Sequence, residues 1–190
     1  MPFESISKNG FVYFDLGGVV FEWESGLYNI AKLAGKSVDT VREIFLKYDD
    51  LACRGQISPQ EFGKIYEREL SFSFGNQDFL TFWVDGFKPI LKTHKLIHEL
   101  VARKISIGII TNIYQGTYEK ALGRFIPDVN YQTIVKSCDC GLVKPDPKFL
   151  EIAEKACGFE KSKIILIDDN QDNIDVAISF GWNGVLFRGS

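Results

Sequence analysis

Five short runs of apolar residues constrain the fold of this 190-residue chain more than any other feature. The runs are uninterrupted rather than alternating, which is typical of strands that are covered on both faces in a parallel sheet. They lie at residues 11–15, 105–111, 131–135, 163–168 and 183–187. Helical patterns separate the later runs, at about residues 90–103, 114–124, 147–157 and 172–180. This alternation predicts a doubly wound α/β core around a parallel sheet.

The first two strand patterns are about 90 residues apart, although a parallel crossover needs only about a dozen. Four helical patterns fill the interval, at residues 26–34, 38–53, 58–70 and 76–87. The third begins with a capping box, in which Ser58 is the N-cap and Glu61 the matching acid. The sequence therefore predicts an α/β core of residues 1–22 and 89–190, with a small helical cap of residues 23–88 inserted after the first strand.

Composition and charge exclude several classes of protein. The net charge is −3 and no dense cluster of Lys or Arg occurs, which argues against a nucleic-acid partner. No apolar run approaches the roughly 20 residues of a membrane helix, and the N-terminus lacks the apolar segment of a secretory signal. The four cysteines are too sparse for a disulfide framework, so we expect reduced thiols and a cytoplasmic location.

Polar residues follow three of the predicted strands directly. Asp15 ends the first strand, Thr111 and Asn112 end the second, and Asp168 and Asp169 end the fourth. Ligands of open α/β sheets bind beyond the carboxyl ends of the strands. If the sheet order makes these three strands neighbours, the sequence predicts a binding site at this edge of the sheet.

Three carboxylates brought together at one edge need a compensating positive charge. Like charges that close cannot all ionise without it, and Lys144, in the loop GLVKPDPKFL, is the basic residue available. A cation would supply the rest, and carboxylate oxygens with water suit Mg²⁺. The sequence therefore predicts Mg²⁺ as a cofactor.

Such a constellation predicts phosphoryl transfer. Mg²⁺ and Lys144 neutralise phosphate charge while a Thr hydroxyl and backbone N–H groups hold its oxygens. Asp15 is then the nucleophile, forming an aspartyl-phosphate intermediate. Gly17 and Gly18, in the stretch FDLGGVV, let the backbone approach the anion and the metal closely, and the Gly17 carbonyl is a candidate metal ligand.

Four motifs in this order resemble those of the haloacid dehalogenase (HAD) superfamily: FDLGGVV, IITN, the lysine of GLVKPDPKFL, and ILIDDNQDN. The resemblance covers nearly the whole chain and implies a Rossmann-like core with an inserted cap. It implies Asp15 as nucleophile and metal ligand, Thr111 as phosphate ligand and Lys144 as charge stabiliser. It also implies Asp168 and Asp169 as the metal-binding acidic pair.

The turn DLGG and the segment DDNQDN are closer still to bacterial sugar-phosphate phosphatases, of the glucose-1-phosphate type, and to the N-terminal phosphatase domain of soluble epoxide hydrolase. The resemblance implies a Mg²⁺-dependent phosphatase of a small phosphorylated metabolite, such as a sugar phosphate. We expect Thr111, Asn112 and Lys144 to bind the substrate. The alternatives are another HAD hydrolase, such as a 2-haloacid dehalogenase, or a non-catalytic phosphate-binding protein.

Gly17 departs from the pattern that the resemblance implies. Phosphatases of this superfamily usually carry a second Asp two residues after the nucleophile, as general acid and base, whereas dehalogenases lack it. The departure predicts that turnover depends steeply on leaving-group pKa, unless Glu22 or a cap side chain supplies the proton. Gly17→Asp would restore the acid, provided that the backbone conformation of Gly17 tolerates a Cβ.

The sequence leaves two possible roles open for several residues near the motifs. Asp172 and Asn173 either cap the helix that follows the acidic pair or support the metal ligands. Trp23 either contacts substrate or packs in the cap. We expect Trp83 and Phe87 to be packing residues.

Overall fold

The fold is described from a computed structural model, which covers residues 10–189. The part of the predicted core that lies at residues 1–9 is outside the described residues. No helix of the described range is long and apolar enough to cross a membrane. The cytoplasmic location stays a prediction.

A five-stranded parallel sheet forms the centre of the protein, in the order β5-β4-β1-β6-β7. Its strands are β1 (Phe11–Phe14), β4 (Ser106–Thr111), β5 (Thr133–Lys136), β6 (Ile164–Asp168) and β7 (Asn183–Leu186). The predicted α/β class and the five predicted strands are confirmed, with boundaries that differ by one or two residues. The uninterrupted apolar runs therefore do correspond to strands that are covered on both faces.

The position of β1 decides where the polar residues meet. This strand lies between β4 and β6, with Phe14 in register with Ile109 on one side and Ile167 on the other. Because all three strands run in the same direction, their carboxyl ends reach the same edge of the sheet. Asp15, which follows β1, donates its backbone N–H to the carbonyl of Ile167 at 2.9 Å and so continues this pairing.

Helices cover both faces of the sheet. Five α-helices follow the cap segment: α5 (Leu91–Ala102), α6 (Thr117–Ala121), α7 (Ser137–Cys140), α8 (Pro147–Cys157) and α9 (Gln171–Phe180). Tyr13 is buried on one face, where its hydroxyl donates to the carbonyl of Ala153 in α8 at 2.7 Å. Val12 and Phe14 are buried on the opposite face, in the cluster that also includes the cap.

The segment predicted as the cap contains four helices: α1 (Ser25–Ala34), α2 (Val38–Cys53), α3 (Pro59–Leu70) and α4 (Phe79–Asp85). Two short strands, β2 (Phe21–Glu22) and β3 (Lys88–Pro89), pair antiparallel where the chain enters and leaves this segment. The sequence analysis missed this ribbon, because two-residue strands carry no periodicity. The division into core and cap remains our interpretation.

One predicted helix is shorter than expected. The pattern predicts a helix at about residues 114–124, whereas α6 covers Thr117–Ala121 only. Gly116 precedes it with a φ of 79°, which ordinary helical residues do not adopt, and Leu122 leaves the helix with extended backbone. Residues 112–116 therefore form a loop beyond β4, and this loop lines the site described below.

The capping box of α3 is confirmed and gives a stability prediction. The Ser58 hydroxyl accepts from the Glu61 backbone N–H at 3.2 Å, and Glu61 Oε2 accepts from the Ser58 backbone N–H at 2.7 Å. We expect Ser58→Ala to lower the free energy of unfolding by about 1 kcal/mol. Denaturant unfolding checks this, with Ser58→Thr, which keeps a capping hydroxyl, as the control. Equal stability of the alanine and threonine variants would contradict the prediction.

Candidate active site

A buried lysine joins two carboxylates at the carboxyl edge of the sheet. Lys144 Nζ lies 2.9 Å from Asp15 Oδ1 and 2.6 Å from Asp168 Oδ2. All three residues are at least nine-tenths buried. Paired, hydrogen-bonded charges of this kind are the ones that can persist in the interior. Residues that are 24 and 129 positions from Lys144 in sequence thus form one ion-paired group.

Asp168 is held by further donors besides the lysine. Its Oδ1 accepts from the backbone N–H of Asn170 and from Asn173 Nδ2, each at 2.9 Å. With Lys144 on Oδ2, both of its oxygens are engaged. Asn173 therefore fixes the orientation of a site residue, which is the supporting role foreseen as one alternative. Asp172 lies in the first turn of α9, where its backbone N–H donates to the side chain of the N-cap residue, Asn170 Oδ1.

Asn112 positions the lysine loop. Its Nδ2 donates to the carbonyl of Lys144 at 3.0 Å, and its Oδ1 accepts from the Lys144 backbone N–H at 2.8 Å. Both the nitrogen and the oxygen of the Asn112 amide are thus bonded to the Lys144 backbone. Asn112 lines the cavity, but this geometry suits orientation of Lys144 more than a direct contact with substrate, which stays a prediction.

Thr111 ends β4 with a buried hydroxyl whose one hydrogen-bond partner within residues 10–189 is distant, the carbonyl of Asn112 at 3.5 Å. A hydroxyl so weakly bonded is free to donate to an anion. Thr111 lines the same cavity as Asp15. Its role as a phosphate ligand stays a prediction.

Gly17 and Gly18, in the turn after Asp15, differ in backbone conformation and in what surrounds them. Gly18 has a φ of 73°, and a Cβ placed on it would lie 2.0 Å from Asp169 Oδ2. Gly17 keeps an ordinary φ, but a Cβ there would lie 3.1 Å from Trp23 Cδ1. A side chain at residue 17 is therefore opposed by the Trp23 indole and not by the backbone conformation that the sequence suggested. Gly18 gives Asp169 the room to reach the site.

Burial and mutual repulsion shift the pKa values of the site. Burial raises the pKa of Asp15 to about 7, with Lys144 opposing the shift and Asp168 and Asp169 adding to it. The pKa of Asp169 is also raised, by burial and then by Asp168. Burial alone would lower the pKa of Lys144, but Asp15 and Asp168 outweigh it and raise the value. The lysine stays charged, and the carboxylates lack full compensation.

This shortage of positive charge fits a metal ion. Asp15, Asp168 and Asp169 each have a carboxylate oxygen within 4.8 Å of the others, and Lys144 is paired with Asp15 and Asp168 but not with Asp169. Asp169 accepts no hydrogen bond from another residue of the range 10–189, and within the same range the Gly17 carbonyl has no backbone donor. Unengaged hard oxygens beside a surplus of negative charge suit Mg²⁺.

A cavity of about 330 Å³ opens above this cluster, between the strand ends and the cap. Its floor is polar and includes Asp15, Thr111 and Asp169. Its upper wall is aromatic and consists of Phe21, Trp23, Phe45, Trp83, Phe87 and Tyr114. The ring centroids of Trp23 and Phe45 are 5.0 Å apart, with an interplanar angle of 20°. The cavity has a size that suits a small ligand.

The structure changes the interpretation of several aromatic residues. Trp83 and Phe87 are buried, as expected of packing residues, but both also line the cavity. Trp23 lines it as well, which favours a contact with ligand. Side-chain direction within the cap decides this, and direction cannot be read from spacing in a segment that is rich in aromatics.

Sequence analysis missed two residues of the site, Asp49 in α2 and Tyr114 in the loop after β4. Both line the cavity, and the Tyr114 hydroxyl donates to Asp49 Oδ1 at 2.6 Å. Asp49 has Asp50 beside it in sequence, so no pattern distinguishes the inward carboxylate from the outward one. Glu22, which was an alternative proton donor, is exposed on β2 and is not among the residues that line the cavity.

Comparison with known proteins agrees with the fold. An enzyme of Bacteroides thetaiotaomicron described as a HAD family enzyme, crystallised with magnesium and inorganic phosphate, superposes with a TM-score of 0.78. The match covers 95% of both chains at 18% identity, which shows a shared fold. The parallel sheet with flanking helices is therefore the Rossmann-like α/β fold of HAD enzymes.

Two curated relatives align either over only part of the chain or at low sequence identity. Pyrophosphatase PpaX of Halalkalibacterium halodurans is 32% identical over 91 residues, which are 48% of this chain and 41% of the relative. The chain thus aligns with less than half of that protein. Sesquiterpene phosphatase astK of Aspergillus oryzae is 22% identical over 174 residues, covering 90% of this chain and 86% of the relative.

The sequence profile of one family spans almost the entire chain. It is the family of haloacid dehalogenase-like hydrolases, and it matches residues 13–186, from the strand that carries Asp15 to the last strand of the sheet. The residues that the profile covers include the ion-paired cluster and the cap. This protein belongs to the haloacid dehalogenase-like hydrolases.

Proposed function

We propose that this hydrolase is a Mg²⁺-dependent phosphatase that cleaves a small phosphorylated metabolite through an aspartyl-phosphate on Asp15. The observation that carries the proposal is the buried ion-paired group of Asp15, Lys144 and Asp168, of which Asp15 lines the floor of the cavity. A nucleophilic carboxylate held by a buried ammonium can attack phosphorus, while the same ammonium attracts the phosphate oxygens.

The roles of the floor residues follow from their contacts. Asp15 Oδ1 is held by Lys144 and by the backbone N–H of Leu16 at 2.7 Å, which leaves its second oxygen to act as the nucleophile. Thr111 offers a hydroxyl to one phosphate oxygen. Lys144 neutralises charge on the phosphoryl group as the ester bond breaks, and Asn112 keeps the lysine in place.

Asp15, Asp169 and the Gly17 carbonyl are the groups that would hold Mg²⁺ most directly. Asp168 belongs to the same acidic cluster, but its oxygens already accept three hydrogen bonds. We therefore expect it to bind the ion more weakly than Asp169, or through water. When bound, Mg²⁺ would neutralise phosphate charge and orient the ester for attack by Asp15.

The neighbouring proteins support this reading. The Bacteroides enzyme was crystallised with magnesium and inorganic phosphate, and two relatives are named as phosphatases of a diphosphate and of a sesquiterpene. A 2-haloacid dehalogenase remains the alternative, since a halide needs no proton donor at residue 17. Such chemistry has no use for a cation site, so the unengaged carboxylate of Asp169 favours the phosphatase. A non-catalytic phosphate-binding protein would gain nothing from the Asp15 carboxylate in this cavity, because that carboxylate repels the bound anion.

The aromatic wall bears on the substrate. Hydroxyl groups of a sugar need hydrogen-bond partners, yet the cap side of the cavity supplies mainly rings and a single carboxyl group, that of Asp49, whose Oδ1 is already bonded to Tyr114. A phosphate ester with an apolar or unsaturated organic group would bury its surface against those rings. We therefore favour an apolar leaving group over the sugar phosphate that the sequence suggested.

The nucleophile can be tested with one substitution. We expect Asp15→Asn to lower the rate of phosphate release by roughly 10⁴-fold or more, because an amide cannot form the aspartyl-phosphate. The fold should persist, since an amide oxygen can still accept from Leu16 and Lys144 keeps Asp168. The measurement is free phosphate from a panel of phosphate esters, with Mg²⁺ and with EDTA.

The control for that experiment is Asp172→Asn, which changes an exposed acid at the same edge of the sheet. It should keep full activity. Phosphate release by purified Asp15→Asn at the wild-type rate would exclude Asp15 as nucleophile. Halide release from 2-haloacids in EDTA, without phosphate release from any ester, would favour the dehalogenase instead.

The metal site can be tested through Gly18. We expect Gly18→Ala to weaken Mg²⁺ binding by about tenfold or more in calorimetry, because its Cβ would displace Asp169 Oδ2. Gly75→Ala is the matched control: Gly75 has a φ of 65° with no atom within 4 Å of a Cβ, so it shares the backbone strain alone. Unchanged Mg²⁺ affinity in a folded Gly18→Ala protein would contradict the proposed site.

Substrate preference can be tested with two esters of primary alcohols. We expect cyclohexylmethyl phosphate to exceed glucose 6-phosphate in kcat/KM by about tenfold, because burying some 60 Å² more apolar surface is worth about 1.5 kcal/mol. Phe45→Ala, in the cavity wall, should reduce this preference. Phe82→Ala, which removes an equally half-buried ring outside the wall, should not. A preference for glucose 6-phosphate would favour the sugar-phosphate reading.

A further inference from the structure

Cleavage of an alkyl phosphate requires a proton at the leaving oxygen, because an alkoxide is a poor leaving group. Residue 17, two positions after Asp15, cannot supply this proton because it is glycine. A side chain there would also be crowded, since Trp23 Cδ1 lies 3.1 Å from the position of its Cβ. Glu22 is exposed. A donor for this step has to come from another wall of the cavity.

Asp49 lies in that position. It belongs to α2 of the cap and lines the same cavity as Asp15. Of the three acids that line the cavity within residues 10–189, Asp15 and Asp169 lie at strand ends, and Asp49 is the one that the cap contributes. An ester whose phosphate rests on the floor directs its organic group, and therefore its bridging oxygen, towards the cap.

The surroundings of Asp49 are those of a carboxyl group that can hold a proton. The Tyr114 hydroxyl donates to its Oδ1 at 2.6 Å, with Cys53 Sγ 3.8 Å from the same oxygen. Oδ2 has no hydrogen bond from residues 10–189, and no ion pair in that range includes Asp49. The next residue, Asp50, is exposed and pairs with Arg54 at 2.7 Å.

The pKa of Asp49 agrees with this geometry. Burial raises it above the ordinary value, while the hydrogen bonds from Tyr114 and Cys53 oppose the shift and the Asp50 charge adds to it. A carboxyl that lies inside a cavity without a basic partner retains its proton more readily than its exposed neighbour. It is also less repulsive to a phosphate ester than an ionised one.

We propose that Asp49 is the proton donor to the leaving group, acting from the cap through Oδ2 while Tyr114 holds Oδ1. The inference rests on the proposed phosphatase function. In the first step Asp15 forms a bond to phosphorus and the ester bond to the bridging oxygen breaks. The electron pair goes to that oxygen, which takes the proton from Asp49 and leaves as the alcohol.

The second step restores the site. Water attacks the phosphorus of the aspartyl-phosphate and gives a proton to the Asp49 carboxylate, so that inorganic phosphate and free Asp15 result. The hydrogen bond from Tyr114 stabilises Asp49 in its ionised state between the two steps. Tyr114 is in this account a positioning residue, and Asp49 is a catalytic one.

Asp49→Asn tests the proposal with esters of graded leaving-group pKa. We expect kcat/KM for cyclohexylmethyl phosphate to fall by about 10² to 10⁴-fold, because this leaving group depends on the proton. For 2,4-dinitrophenyl phosphate, whose leaving group departs as an anion, we expect a loss of less than about tenfold. Asp50→Asn is the matched control on the same helix and should change neither rate.

Other outcomes separate the possible failures. If Asp49 only holds α2 against Tyr114, Asp49→Asn lowers kcat/KM for both esters by the same factor, and the proposal is overturned. Tyr114→Phe, which keeps the ring but removes the hydrogen bond, provides a second variant. It should lower kcat/KM selectively for the cyclohexylmethyl ester, but by less than Asp49→Asn does. If Asp15→Asn hydrolyses the dinitrophenyl ester as fast as wild type, the phosphatase proposal itself fails, and with it the role of Asp49.

Discussion

The contact of the Lys144 ammonium with Asp15 and Asp168 is the interaction on which the rest of this site depends. An ammonium taken out of water costs several kcal/mol unless it is paired, and here two carboxylates lie within 2.9 Å of it. Those carboxylates would in turn repel each other without the lysine. The loop that carries Lys144 must therefore reach the strand ends, and Asn112 ties it there with two hydrogen bonds.

The neighbourhood of this group shows which residues are fixed and which are left available. Asp168 is fully buried and accepts three hydrogen bonds, so it serves as a rigid anchor. Asp169, one residue later, is exposed to the cavity and lies against Gly18, where any side chain would collide with it. The two adjacent acids therefore differ in role: Asp168 holds Lys144, whereas Asp169 remains open to a ligand.

The cap adds what the strand ends lack. Its rings give the cavity an apolar wall, and the Trp23 indole occupies the space beside Gly17 that a side chain would need. The same segment brings Asp49 over the floor from α2. The core side has glycine at residue 17, whereas the cap side presents the Asp49 carboxyl group to the cavity.

The sequence by itself determined the sheet, the helices and the identity of the charged cluster. Continuous apolar runs that end in polar residues are local signals, and β1 with Asp15 or β6 with Asp168 could be predicted from them. The positive charge that three neighbouring carboxylates need then identified Lys144, which the family motifs also imply. Local signals of this kind failed at short elements: β2 and β3 are too short to show a period, and α6 covers only five residues of the helix predicted at about residues 114–124.

Tertiary structure alone decided the direction of side chains across the gap between core and cap. Asp49 and Asp50 are equivalent in sequence, yet one faces Tyr114 inside the cavity and the other pairs with Arg54 at the surface. Trp83 was expected to pack only, but it lines the cavity as well. Helix rotation and the docking of the cap depend on contacts between segments that are far apart in sequence, so no local pattern records them.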